Sequence, residues 1–516
     1  MKLNNIIFSC AAAIIALSSC SDLLDIPRKG VMDKDVYYSK DENLLSSSAA
    51  MYLEVRGWEY NVQLCKNMLT DDFYAGGAAR GDNVDLEALN EFSFTSEESY
   101  IENMFTTYYS LVYKANVILD NVDPAVSETA AMVVAEAHTL RAWAYFDLIT
   151  MWGNPPIVDH QLSPSEYSVP NGSTEALWKM VEDDLTAAIN SGALPQKSNV
   201  NDNTVWRVTK QFAQAVLGKA YLWQEKFEDA AKVFDEIVDS QLYDLFTADA
   251  FGNMFLAKND MNCESMFESV RVNDNDNMGS NIQLFYLMTS WRASGGEMTI
   301  PSDVCFNAGW GFVNPTKDLY DSFVAAGDNY RRSETMKTFE EISAMGVTIN
   351  KNVINAGCWM WKNRILTEEA VWSGWATYRD VRWMRFAEVL LCGAEAHLRG
   401  NYQAEKAVTY VNRVRTRAQL ADLGSVTMDD IKREKRHEFV GESLRFQDLV
   451  RWGDAAAKLK DNGLQFPVCA PNGTVTMNAT GKSSANAGFK AGKHERLPYP
   501  YTETTLNKNV KQNPGY

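Results

Sequence analysis

Carboxylates stand side by side at Asp71-Asp72 and Asp183-Asp184, and Glu438, Glu442, Arg445, Asp448 and Arg451 recur at three- or four-residue spacing. Hydrolysis of a glycosidic bond needs two carboxyl groups, one on each side of the bond. Neighbours in sequence cannot face each other that way, so the Asp pairs read as solvated or capping acids. The 438–451 series mixes acids and bases with Phe439, Phe446, Leu449 and Trp452. It reads as a partly buried ion-pair network tying one helix to others. Gly481-Lys482-Ser483 has the ending of a phosphate loop, but Thr476 stands where its first glycine belongs and no strand precedes it. The five histidines, His138, His160, His397, His437 and His494, form no His-x-x-x-His pair and no His/Cys cluster. No catalytic set, metal site or cofactor is expected.

Cys20 carries chemistry of another kind. Lys2 opens the chain, an apolar core runs from Ile6 to Leu17, and Leu17-Ser18-Ser19 leads into Cys20. This is the pattern of a lipoprotein signal: residues 1–19 are removed and Cys20 becomes the lipidated first residue. Each buried CH₂ of the acyl chains contributes about 0.8 kcal/mol of membrane affinity. No later stretch is long and apolar enough to span a bilayer. The remaining cysteines past Cys20 (Cys65, Cys263, Cys305, Cys358, Cys392 and Cys469) are widely spaced and read mostly as small buried hydrophobes. A net charge of −18 makes nucleic acid and anionic lipid surfaces poor partners.

The elements that must position any site are helical. Phe105, Tyr108, Val112, Ala115 and Leu119 set a helix over 103–122, and Val133, Ala137, Leu140, Ala144 and Leu148 a second over 130–152. A third covers 174–190. Helices over 209–224 and 227–240 have the spacing of a tetratricopeptide pair, with Leu217, Gly218 and Tyr221 on the first and Phe227, Ala230 and Phe234 on the second. A looser pair covers 384–398 and 402–416. A last helix is read over 427–452, opened by a capping box at Thr427 and Asp430. Residues 245–380 lack sustained helical period, with strand-like runs such as Val347-Thr348-Ile349, and 466–493 reads as one long loop. The fold class is all-α: helix pairs of tetratricopeptide type at about 103–240 and 384–452, and a long irregular face at about 70–100 and 245–380.

Several segments then carry a resemblance. Glu136-Ala137-His138-Thr139-Leu140-Arg141-Ala142 through Tyr145-Phe146, with Gly153-Asn154-Pro155-Pro156, is similar to a segment of the SusD/RagB family of Bacteroidetes surface lipoproteins. Asn154 stands where that family more often has Asp. Arg207-Val208-Thr209-Lys210, Asn314-Pro315-Thr316, Arg385-Phe386-Ala387-Glu388, Asn412-Arg413-Val414-Arg415 and Arg445 to Gly453 resemble its later segments in order, and Asn513-Pro514-Gly515-Tyr516 resembles its ending.

The resemblance implies one domain over 20–516 and no enzymatic activity. It implies a nutrient-binding subunit, anchored by its lipid at the outer-membrane surface, that delivers oligosaccharide to a SusC-like TonB-dependent transporter. A peptide-binding RagB-like subunit and a repeat scaffold binding only protein stay open as alternatives. A sugar site wants a flat aromatic beside each ring and polar groups at its edge. The family places such residues on loops outside the repeats. Two loops fit: 71–83, with Tyr74, Arg80, Asp82 and Asn83 among glycines, and 291–311, with Trp291 and Trp310.

Overall fold

The computed structural model describes residues 34–272, 284–371 and 376–516; Cys20, the signal segment, Trp372 and Trp375 lie outside them. Helices dominate, and their ends follow local chemistry. The Ser127 side chain accepts from Ala130 N at 3.0 Å to open Glu128–Trp152, and Gly153, with φ +84°, closes it. Thr209 accepts from Phe212 N at 3.1 Å and opens Lys210–Trp223. The expected helices are present as Ser99–Asn121, Glu128–Trp152, Thr174–Ser191, Lys210–Trp223, Phe227–Asp239, Phe386–Gly400 and Ala404–Arg417.

The two repeat pairs, distant in sequence, stack in space, and glycines permit it. A Cβ on Gly218 would lie 2.7 Å from the Phe234 ring. One on Gly393 would lie 3.2 Å from both Phe234 and Tyr410, and one on Gly400 2.9 Å from Phe227. Phe234 therefore fills the space that Gly218 and Gly393 leave from either side. One large core runs from Leu44 to Val510, and a smaller one gathers Trp291, Met298, Ile342 and Trp359 under the irregular segments.

Two expectations are corrected. The last helix is not continuous: Met428–Glu438 and Arg445–Arg451 are separated by a turn holding Gly441 at φ +76° and Ser443 at φ +64°. The Glu438 carbonyl, which a continuing helix would use, accepts instead from Arg385 Nη2 at 3.2 Å and Lys362 Nζ at 3.3 Å. The stretch 466–493 is not all loop, because Gln465–Cys469 and Val475–Ala479 form an antiparallel hairpin.

The irregular part is built from short helices and small two-stranded ladders. Val313–Pro315 pairs with Phe73–Ala75, Met298–Thr299 with Thr348–Ile349, and Met336–Thr338 with Cys358–Met360. Where this part meets the repeats, a buried charge network joins them. Glu438 receives Arg331 (3.3 Å), Arg385 (3.0 Å) and Arg417; Arg417 also binds Glu264 at 2.9 Å, and Arg331 binds Glu434 at 2.6 Å. Burial opposes the Glu438 charge, and three guanidiniums more than offset it, so its carboxyl titrates well below the ordinary range.

Candidate functional site

A cavity of about 860 Å³ opens beside Tyr74 and lies between the 70–74 segment, Thr316 and Asp318, and the 457–484 region with its hairpin. Strand pleating aims Tyr74 there. Phe73 and Ala75 are buried on one face of the ladder, and Tyr74, opposite Asn314, points to the other and is half-buried. Burial, with the Asp318 carboxylate beside it, raises the phenol pKa, so the hydroxyl stays a donor at neutral pH. Leu464 and Met477 add apolar wall, while Gln465, Ser483 and Ser484 add hydroxyl and amide groups. Asn462 braces the floor, donating to the Thr70 and Asn90 carbonyls at 3.1 and 3.2 Å. Gln465, Lys458 and Asp461 also line the cleft, and their side chains make no hydrogen bond or ion pair among the described residues.

The two loops singled out from sequence do meet. Gly76 N donates to the Phe312 carbonyl and Gly77 N to the Gly311 carbonyl, both at 2.8 Å. A Cβ on Gly76 would fall 2.1 Å from the Gly311 oxygen, so only glycine allows this approach. The individual side chains have different fates. Arg80 pairs with Glu87 at 3.0 Å and Glu91 at 2.5 Å and lies 5.4 Å from the Phe466 ring of the hairpin. Asp82 is exposed, accepts from Ala78 N at 2.9 Å and faces Arg292 at 3.4 Å. Asn83 caps the Val84–Asn90 helix, accepting from Leu86 N at 3.1 Å and donating to the Tyr100 hydroxyl at 3.2 Å.

Trp291 is 2% exposed, and its indole donates to the Met360 carbonyl at 2.7 Å, so it serves the smaller core. Trp310 is half-buried against the main core, with its backbone N–H on the Leu287 carbonyl at 2.7 Å. Of the six residues, Tyr74 alone lines the cleft. Sequence reasoning missed the hairpin side, Gln465, Met477, Lys482 and Ser483. Its Asn-, Gly- and Ser-rich composition marked it as irregular without showing where it folds back.

The carboxylate groups resolve as ion pairs. Asp71 is held by Arg445 at 2.8 and 2.9 Å, Asp72 by Arg436 at 2.8 Å, and Asp184 by Arg141 at 2.7 and 2.8 Å. Asp448 binds Lys435 and Arg451, each at 2.8 Å. Burial alone would raise the Asp71 pKa; Arg445 and Arg436 reverse this and bring it to about 2. Lys482 of the Gly-Lys-Ser run pairs with Glu91 and donates to Ser93 Oγ at 2.8 Å, strapping the 480s to the cleft rim.

Two constellations were not visible in sequence. Ser322 Oγ lies 3.1 Å from His437 Nε2, and His437 Nδ1 lies 3.1 Å from Asp328 Oδ2. The geometry is that of a nucleophile relay, but the Ser322 hydroxyl donates to its own helix at the Leu319 carbonyl, 2.7 Å away. The imidazole is buried against the Phe323 ring, centroids 4.0 Å apart. Nearby backbone N–H groups are spent inside the Lys317–Ala325 helix, so no oxyanion site forms. Asp260, Glu268 and Asp380 gather their oxygens within 4.8 Å of one another. Arg382 stands among them as counter-cation, 3.3 Å from Asp260 and 3.0 Å from Glu268.

Stacked helical repeats with a ligand-sized cleft on their irregular side define an all-helical repeat protein of the kind that presents a surface site. The C-terminal third, residues 337–516, matches the model of the SusD family, and residues 38–222 match a family described as "Starch-binding associating with outer membrane". The chain belongs to the SusD/RagB family.

A SusD-like protein of Bacteroides ovatus is 26% identical over 479 residues, covering 86% of this chain and 81% of the relative. SusD-like protein P2 of Formosa agariphila is 23% identical, covering 98% of each. Among solved structures, a laminarin-binding SusD-like protein superposes with a TM-score of 0.77 at 24% identity, over 92% of this chain and 99% of that one. Surface glycan-binding protein A from Bacteroides thetaiotaomicron, in complex with laminarihexaose, gives 0.74 at 23% identity, again over 92% and 99%. These likenesses establish the shared fold. No helix among the described residues is long and apolar enough to cross a membrane.

Proposed function

We propose that the protein binds a neutral oligosaccharide in the cleft beside Tyr74 and passes it to a SusC-like TonB-dependent transporter without cleaving it. The observation that carries this reading is the cleft: about 860 Å³, with one half-buried aromatic ring and a lining of amides, hydroxyls and unpaired charged groups. Pockets of about 300–1,000 Å³ suit bound small molecules. Tyr74 offers a face to the C–H side of a sugar ring, and Gln465 and Ser483 offer its hydroxyls partners. Arg80 and Asp82 stiffen the adjoining loop. Relatives of the same fold named for laminarin and laminarihexaose agree with a carbohydrate ligand. Lipidation at Cys20 would hold the protein at the outer-membrane surface, in keeping with the matched family's description.

The test is a screen of the mature chain against an array of neutral oligosaccharides that includes laminarihexaose, with every incubated sugar afterwards checked for cleavage. Binding without turnover is expected. Binding to none of the array, or turnover that copurifies with the protein, would overturn the reading.

A further inference from the structure

A second concavity, of about 130 Å³, shares no residue with the Tyr74 cleft. Its wall includes Tyr52, Leu53 and Arg56 of the Asp41–Met68 helix, Phe267 and Glu268 of the strand Ser265–Ser269, and Trp206; Arg382, 3.0 Å away, balances the Glu268 carboxylate. Trp206 is 42% exposed, the most open tryptophan among the described residues. It lies in the loop before the Lys210–Trp223 helix. Leaving an indole in water forgoes burial that other tryptophans of this chain obtain.

The ring is nevertheless fixed. The Arg207 guanidinium lies 4.5 Å from its centroid, and Tyr52 meets it edge-on at 5.4 Å. Both braces are themselves held. Arg207 pairs with Glu136 at 2.8 Å; the Tyr52 hydroxyl donates to Glu136 at 2.9 Å and accepts from Val208 N at 3.1 Å. A rigid aromatic face open to solvent is a platform prepared before any ligand arrives.

Arg56 stands on the same wall. Its guanidinium makes no hydrogen bond and no ion pair among the described residues, whereas Glu59, one turn further on, is taken by Arg271. Burial and the neighbouring Arg271 press against the Arg56 charge, and Glu59 and Asp380 offset only part of this. A half-buried planar cation with no protein partner among the described residues, beside an exposed indole, fits a ligand that has an apolar face and an anionic edge.

We propose that this concavity is a second carbohydrate subsite, which takes one anionic sugar residue with its C–H face on Trp206 and its carboxylate or sulfate group on Arg56. The proposal stands independently of the Tyr74 cleft. The volume admits a single ring, such as a chain end or a branch, and not an extended chain. A peptide terminus has a similar charge but also wants backbone partners. The strand Ser265–Ser269 is paired on one edge to Val381–Arg385 and buried along its length, which keeps its backbone from an incoming peptide.

Isothermal titration of the mature chain tests this with tetragalacturonate, a sulfated carrageenan tetrasaccharide and a neutral galactotetraose. At least one anionic probe is expected to bind and to weaken as salt rises. Trp206→Ala and Arg56→Gln should each lower that affinity by about tenfold or more, equivalent to about 1.4 kcal/mol, with circular dichroism unchanged. Tyr74→Ala should leave it unaltered, which separates failure here from failure of the cleft reading. The two anionic arms separate carboxylate from sulfate. Binding of neither anionic probe, or wild-type affinity for the anionic probe in both folded variants, would overturn the proposal.

Discussion

Charged side chains do opposite work in two regions of this molecule. At the join between the repeats and the irregular face, Arg331, Arg385, Arg417, Glu264, Glu434 and Glu438 are nearly all sealed from water, and each has at least two partners. In the cleft, Lys458 and Asp461 sit at the surface with none among the described residues. A network whose charges are all paired holds a shape, because its carboxylates and guanidiniums are already committed to one another. A lining with uncommitted groups can accept a ligand. The same residue types therefore divide into structure and site by how completely they are satisfied.

The sharpest way to break this comparison is to unbalance the network. Glu438→Ala leaves three guanidiniums without their shared carboxylate, and one-sided removal of a buried partner costs about 3–5 kcal/mol. Chemical denaturation should show that loss. Asp448→Ala, which leaves the buried Lys435 without its carboxylate while Arg451 keeps Glu395, should lower the melting temperature in the same way. Whatever folds should keep its ligand selectivity. Unchanged stability in both would mean that these charges are solvated.

Tyr74→Ala should do the reverse. Truncating a central aromatic costs about 2 kcal/mol or more of binding, roughly thirtyfold in affinity, while the unfolding midpoint stays within experimental scatter. Because a neutral sugar is held by contact and hydrogen bonds, its affinity should change little between low and high salt.

Acid sharpens the comparison at the boundary of the two regions, where Asp71 lines the cleft yet is clamped by Arg445 and Arg436. Its folded pKa, about 2, lies below the ordinary carboxylate value. The folded state thus holds fewer protons than the unfolded state between these values. The stability it contributes, on the order of 2 kcal/mol, is present above about pH 4 and is lost as pH falls toward 2. Asp71→Asn should flatten that part of the acid-unfolding curve; an unchanged acid limb would remove Asp71 from the account. The smallest effect is expected at the rim. Arg80 is partly exposed, and Glu91 keeps Lys482 as a second partner, so Arg80→Ala should cost under about 1 kcal/mol.

The repeat helices were legible in the sequence because their apolar residues recur at helical spacing and small residues mark the close approaches, as Gly218 and Gly393 show against Phe234. The Asp41–Met68 helix was not read. Its buried side carries Ser48, Glu59, Gln63, Lys66 and Asn67, whose partners come from far along the chain, as when Lys66 meets Asp147 at 2.8 Å. Tertiary pairing of that kind hides the period.

The ion-pair reading of 438–451 held, yet the helix break at 439–444 was invisible, since the cations that take the Glu438 carbonyl come from Lys362 and Arg385. The 71–83 and 291–311 loops were each singled out by composition, and they meet in space. The burial of Trp291 was not anticipated, because an aromatic in an irregular segment gives no sign of which core it enters. The hairpin wall of the cleft was missed because its alternation is weak and mostly exposed.

The central claim is that the cleft beside Tyr74 binds neutral oligosaccharide while the charge network only holds the fold. Isothermal titration of the array's best neutral sugar into the wild-type chain and into Tyr74→Ala, each verified as folded by circular dichroism, tests this most directly. The account predicts a roughly thirtyfold or greater loss of affinity with stability unchanged. Equal affinities for the two folded proteins would contradict it and place the ligand elsewhere on the irregular face.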